Sequence, residues 1–162
     1  MVALLSCPST TSSRRPNPLP LAFQFHNADH AFRCPNRRKI RAWIHDFAAA
    51  HGKTIGELAV VFCSDDYLLE VNKTHLQHDY YTDIITFDYC EADEIAGDLM
   101  LSVDRIKANA QTHNQLFFNE LIRVIIHGHL HLVGYKDKTN AEQKTMRNQE
   151  NHWIARYYER YT

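Results

Sequence analysis

The chain has 162 residues, 44% of them hydrophobic and 23% charged. That is the length of one domain able to bury its own core, and the balance is not that of a disordered protein. Lys and Arg total 18 against 19 Asp and Glu, a formal net charge of −1, which argues against a protein whose main business is coating nucleic acid with positive charge. The average hides a pattern: residues 1–41 carry seven basic and one acidic side chain, residues 42–100 two and twelve, residues 101–162 nine and six. An acidic middle therefore lies between two basic ends.

Cys7, Cys34, Cys63 and Cys90 form no C-x-x-C pair, which speaks against a zinc ribbon, a thioredoxin-type centre or a disulfide scaffold and suits a reducing cytoplasm. No apolar run reaches the length of a membrane span, and residues 2–5 are too short, with no charge before them, for a signal peptide. A cytoplasmic location with no membrane partner is expected.

Residues 1–20, rich in Ser, Thr and Pro, read as a flexible N-terminal extension to a single domain over 21–162. Residues 22–26 alternate as a strand. Ile40, Trp43, Ile44, Phe47 and Ala48 recur at helical spacing over 37–50, with Gly52 as the stop. Residues 57–63 form a second strand, in which Cys63 suits a buried thiol. Ser64 caps a short helix carrying Leu68 and Val71. Residues 83–89 and 96–101 read as strands. Ser102 caps a helix to about His113. A longer apolar helix opens near Asn119 and stops at Gly134. Thr139 and Glu142 make a capping box for a last helix to about Tyr158. The order β-α-β-α-β-β-α-α-α predicts an α+β fold: a small, mostly mixed sheet of about four strands packed with helices.

Eleven His are a surplus, and His is both the commonest metal ligand and the side chain that titrates near neutrality. Three fall within His127-Gly128-His129-Leu130-His131. His127 and His131, four apart on a helix, project from one face and can share one ion, as on a zincin-type metal helix. His129 points away. Gly134 can take φ > 0 and turn the chain so that Asp137 returns over the pair as a third ligand. Two imidazoles and a carboxylate leave a fourth tetrahedral position open, the arrangement of a catalytic zinc that acidifies water. An i, i+4 His pair alone is a weak signal. The fixed offsets to Gly134 and Asp137, in an otherwise apolar run, raise it. Zinc peptidases carry their Glu base directly after the first His. Here that position is Gly128, so a hydrolase of another substrate is favoured.

His127-Gly128-His129-Leu130-His131-Leu132-Val133-Gly134-Tyr135-Lys136-Asp137 resembles the hallmark H-G-x-L-H-L-x-G-Y-x-H of the YbeY family of single-strand-specific metallo-endoribonucleases. Thr82-Asp83-Ile84-Ile85-Thr86-Phe87, with Asn72 ten residues upstream, resembles that family's T-D-V-L-S-F strand, and Gly97-Asp98-Leu99-Met100-Leu101-Ser102 its G-D-I-x-I-S strand. The blocks cover roughly residues 22 to 160. The resemblance implies a zinc-dependent endoribonuclease acting in 16S rRNA 3′-end maturation and ribosome quality control. Its partners would be single-stranded RNA, ribosomal RNA and the small ribosomal subunit, with no DNA expected. It carries over His127 and His131 as ligands to one zinc ion. At the third position Asp137 replaces the usual His, a competent ligand that shifts metal preference. The usual phosphate-handling Arg is here Leu76. His75 and His78 flank it, and Arg123 is another candidate for phosphate contact, weighed against a salt bridge to Glu120 or an acidic neighbour. Arg105, Lys107, Lys136, Lys138 and Lys144 offer a basic floor for a phosphate chain, weighed against a plain solvated face. No catalytic base is assigned. Two alternatives stand beside this reading: a ribosome-associated binding factor with a structural zinc, and a metal-dependent hydrolase of another substrate.

Overall fold

A computed structural model of the chain describes residues 22–162 and the backbone of Leu4–Ser6. The elements are β1 (Leu4–Ser6), β2 (Phe23–Asn27), α1 (Arg37–Ala50), β3 (Thr54–Cys63), α2 (Asp65–Leu76), β4 (Ile84–Asp88), β5 (Glu94–Ser102), α3 (Val103–Thr112), α4 (Phe117–Leu132) and α5 (Asn140–Tyr161). From β2 onward the order is the one expected. The extension expected over residues 1–20 lies outside the described residues except at Leu4–Ser6, which adds a fifth, edge strand to the four read from the sequence. Sheet order is β1-β4-β5-β3-β2. β4 and β5 are antiparallel and the remaining neighbours parallel, so the sheet is mixed.

Alternation decides the two faces of this sheet. Phe23, Phe25, Leu58, Val60, Phe62, Leu99 and Leu101 point to the face covered by α1 and α4, where they join Ile40, Trp43, Phe47, Leu121, Ile122 and Ile125 in the main core. Cys63, Leu68 and Ile85 form a smaller cluster under α2 on the opposite face, and Cys63 is fully buried as expected. Burial drives its thiol pKa up to about 12, which leaves it protonated and inert.

Local signals explain most boundaries. Ser64 Oγ accepts from the Tyr67 amide at 3.2 Å and Ser102 Oγ from the Arg105 amide at 3.0 Å, satisfying otherwise orphaned helical donors. α4 begins two residues earlier than the Asn119 expected. Its N-cap, Leu116, makes no side-chain cap, so the sequence carries no start signal there. β3 begins at Thr54 rather than 57, across a register shift between Ile55 and Leu58, which breaks the simple alternation. Among the described residues no helix is long and apolar enough to cross a membrane.

Candidate metal centre

The site is built where α4 ends. The Gly134 amide donates to His131 O at 2.9 Å and the Tyr135 amide to Leu130 O at 3.0 Å, the paired bonds of a Schellman C-cap. That cap needs a left-handed residue. Gly134 supplies φ +98°, and nothing lies within 4 Å of where its Cβ would be. The glycine is thus required by backbone conformation and not by space. The reversal carries residues 135–137 back across the last turn of the helix.

Asp137 consequently meets the two histidines. His127 Nε2 and His131 Nε2 are 3.1 Å apart. Asp137 Oδ2 lies 3.7 Å from the first and 3.6 Å from the second. The point equidistant from these three atoms is about 2 Å from each, the length of a zinc–nitrogen or zinc–oxygen bond. Of the described residues, these three form the group of ligating side chains that could hold a metal ion.

Hydrogen bonds prepare both rings for that role. His127 Nδ1 lies 2.7 Å from Glu150 Oε1, and His131 Nδ1 lies 2.9 Å from the Tyr135 carbonyl. Each acceptor claims the Nδ1 proton, so the two Nε2 lone pairs face one another. Without a cation between them that approach is repulsive, so the donor set fits a metal. Burial, followed by the neighbouring His127, lowers the pKa of His131 against the opposing pull of Asp137, which favours the neutral, ligating form.

Glu150 was not singled out in the sequence. It is 4% exposed and receives Arg123 Nη1 and Arg147 Nη1, each at 3.0 Å, on the oxygen opposite His127. Burial raises its pKa, but the hydrogen bond from His127, with the arginines, outweighs that and leaves it below the usual range. A signal was present: Met146, Glu150, Trp153 and Tyr157 recur at helical spacing and form the buried face of α5, so a carboxylate on that stripe needed partners.

The opposite face of α4 is inert. His129 is fully buried, its Nδ1 2.7 Å from the Ile125 carbonyl and its ring edge-on to Phe23 and Phe47. Burial depresses its pKa to about 4. Gly128 lies against the sheet: an added Cβ would be 2.6 Å from Leu99 Cδ2 and 2.7 Å from Ile84 Cδ1. A side chain at the position that holds the peptidase Glu base would therefore have to displace the methyl ends of Leu99 and Ile84 and would face the sheet, not the cleft.

His127, His131 and Asp137 open onto a cleft of about 1440 Å3. Lys136, Lys138, Lys144 and Arg147 line it, together with Leu76, His78 and Tyr80. The other flanking residues go elsewhere. His75 packs edge-on against Phe87. Arg105 binds Asp65 at 2.6 Å and covers the Tyr81 ring, and neither it nor Lys107 lines the cleft. Arg123 is held by Glu150 and Asn151, which makes it a brace behind His127 and not a phosphate contact.

Comparison with known proteins agrees with this architecture. The family described as Endoribonuclease YbeY matches residues 24–158. Endoribonuclease YbeY of Phocaeicola vulgatus is 53% identical over 119 residues, 74% of this chain and 86% of that protein. The protein of the same name from Parabacteroides distasonis is 43% identical over 135 residues, 83% and 95% of the two chains. The solution structure of TM1509 from Thermotoga maritima superposes with a TM-score of 0.60 at 22% identity, over 85% of this chain and 89% of that one, and so shares the fold.

Proposed function

The chain belongs to the YbeY endoribonuclease family, and on that premise we propose that it is a zinc-dependent, single-strand-specific endoribonuclease acting in 16S rRNA 3′-end maturation and ribosome quality control, in the cytoplasm and on the small ribosomal subunit. The observation that carries the reading is the convergence of His127 Nε2, His131 Nε2 and one Asp137 oxygen in a cleft that Lys136, Lys138 and Lys144 also line. Three ligands with a side open to the cleft are the pattern of a catalytic ion, whereas structural zinc is closed by four. Zinc held there supplies Lewis-acid chemistry, acidifying water and drawing charge from a phosphodiester oxygen.

The protein's own groups do the rest. Glu150 keeps the His127 proton on Nδ1 and fixes the ring. The Tyr135 carbonyl does the same for His131. Lys136, Lys138 and Lys144 are exposed along the cleft and attract the phosphate chain without demanding a basic protein overall. Leu76 supplies no fixed cation, so phosphate attraction rests on these lysines. The sheet packed against Gly128 counts against peptidase chemistry.

Purified protein tested on single-stranded RNA, including a precursor 16S 3′ end, should cleave and carry one zinc. His127→Ala and Asp137→Ala should lose both cleavage and the ion. Full nuclease activity in both variants overturns the metal reading. One zinc in a wild-type protein that cleaves no RNA favours the structural-zinc binding factor.

A further inference from the structure

We propose that the stacked His78 and Tyr80 rings form a base-stacking wall of the cleft, which seats an unpaired nucleotide beside the His127–His131–Asp137 group; this rests on the RNA reading above and assigns its single-strand preference to named residues. The two rings are 5.1 Å apart at an interplanar angle of 23°, and the Tyr80 hydroxyl shares a 3.0 Å hydrogen bond with His78 Nδ1. Both line the cleft that contains the histidine pair, and so do Lys136, Lys138 and Lys144. Tyr80 is a large aromatic ring left 39% exposed.

The wall is held in place before any ligand arrives. Asn72 is 2% exposed. Its side-chain amide donates to the Tyr80 carbonyl at 2.8 Å, and its backbone carbonyl accepts the His78 amide at 3.3 Å. Gln77 closes α2 in the left-handed conformation, with φ 57°. One buried residue near the end of α2 thus holds both ring-bearing positions, Tyr80 through its side chain and His78 through its backbone carbonyl. A pre-ordered aromatic surface loses little conformational entropy on binding.

Aromatic rings and cations lining one groove match a single strand, with bases stacked on the rings and phosphates drawn to the cations. Every base has a π-face, so the wall tolerates sequence. In a duplex those faces are already stacked on neighbouring bases, so paired RNA gains nothing from it.

The test uses a 2′-O-methyl single strand carrying 2-aminopurine, bound to the zinc-loaded protein, with the same oligonucleotide in duplex form alongside. Stacking should quench the fluorescence in wild type. Tyr80→Ala should weaken single-strand binding roughly tenfold or more and abolish the quenching, while duplex binding stays unchanged. Tyr80→Phe keeps the ring and should keep most of the affinity. Tyr80 is exposed, and unchanged thermal unfolding of both variants confirms that they fold. Wild-type affinity and quenching in Tyr80→Ala, from a protein whose wild type still cleaves RNA, overturns the wall alone. Failure of wild type to bind or cleave single-stranded RNA overturns the RNA reading and the wall with it.

Discussion

The two faces of α4 carry the same residue to opposite ends. His127 and His131 face the cleft. Their Nδ1 atoms are committed to Glu150 and the Tyr135 carbonyl, and their Nε2 atoms meet 3.1 Å apart. His129, between them in sequence, faces Phe23 and Phe47 and no solvent. Imidazole chemistry is identical at all three positions. What differs is whether the second nitrogen finds apolar rings or another ligand. A histidine becomes a metal ligand through the partner on its far side, not through its own propensity.

Three measurements probe this contrast, in falling order of effect. The inner face should show itself in acid. His129 has its pKa lowered to about 4 by burial against an ordinary 6.5, so the folded protein stays unprotonated there while the unfolded chain takes up a proton. Stability is therefore present above pH 6.5 and is lost as pH falls toward 4, by on the order of 3 kcal/mol from this group. Denaturant unfolding across that range should show a shallower acid limb in His129→Leu. Parallel decline in the two proteins would mean that the inner face does not hold the imidazole neutral.

The outer face should depend on Glu150. Glu150→Gln keeps an acceptor for His127 Nδ1 but loses the charge that Arg123 and Arg147 neutralise. Zinc affinity, measured by competition with a chromophoric chelator, should fall about 10- to 100-fold. Unchanged affinity would detach the carboxylate from the ligand's behaviour. The smallest effect belongs to the contact between helix and sheet. Gly128→Ala gains about 1 kcal/mol of helix propensity, but its Cβ displaces the methyl groups of Leu99 and Ile84, an overpacking cost of roughly 1–3 kcal/mol. Net destabilisation of about 1 kcal/mol is expected in urea unfolding, and a stabilised variant would show that the sheet yields.

Much of this was legible in the residues because it is local. Helical periodicity puts His127 and His131 on one face and His129 on another. Gly134 marks the reversal, and the capping box at Thr139 and Glu142 starts α5 where the structure has it. These features depend on neighbours within about four positions, and backbone geometry fixes what such neighbours do. The sequence alone therefore determined the order of elements from β2 onward and brought His127, His131 and Asp137 into one hypothesis.

Tertiary structure decided the rest. Glu150 lies 23 residues from the histidine it orients, and only the packing of α5 against α4 introduces them. The same packing turns Arg123 into a brace, while the meeting of α2 and α3 draws Arg105 to Asp65. In the sequence Gly128 is the position of a missing catalytic base, and only the sheet beneath it shows that a side chain there would press on Leu99 and Ile84. Asn72 and Tyr80 are eight residues apart across a helix end, and no periodicity relates them until the left-handed turn at Gln77 closes. Contacts between distant segments depend on where whole elements come to rest against one another, which no local repeat encodes.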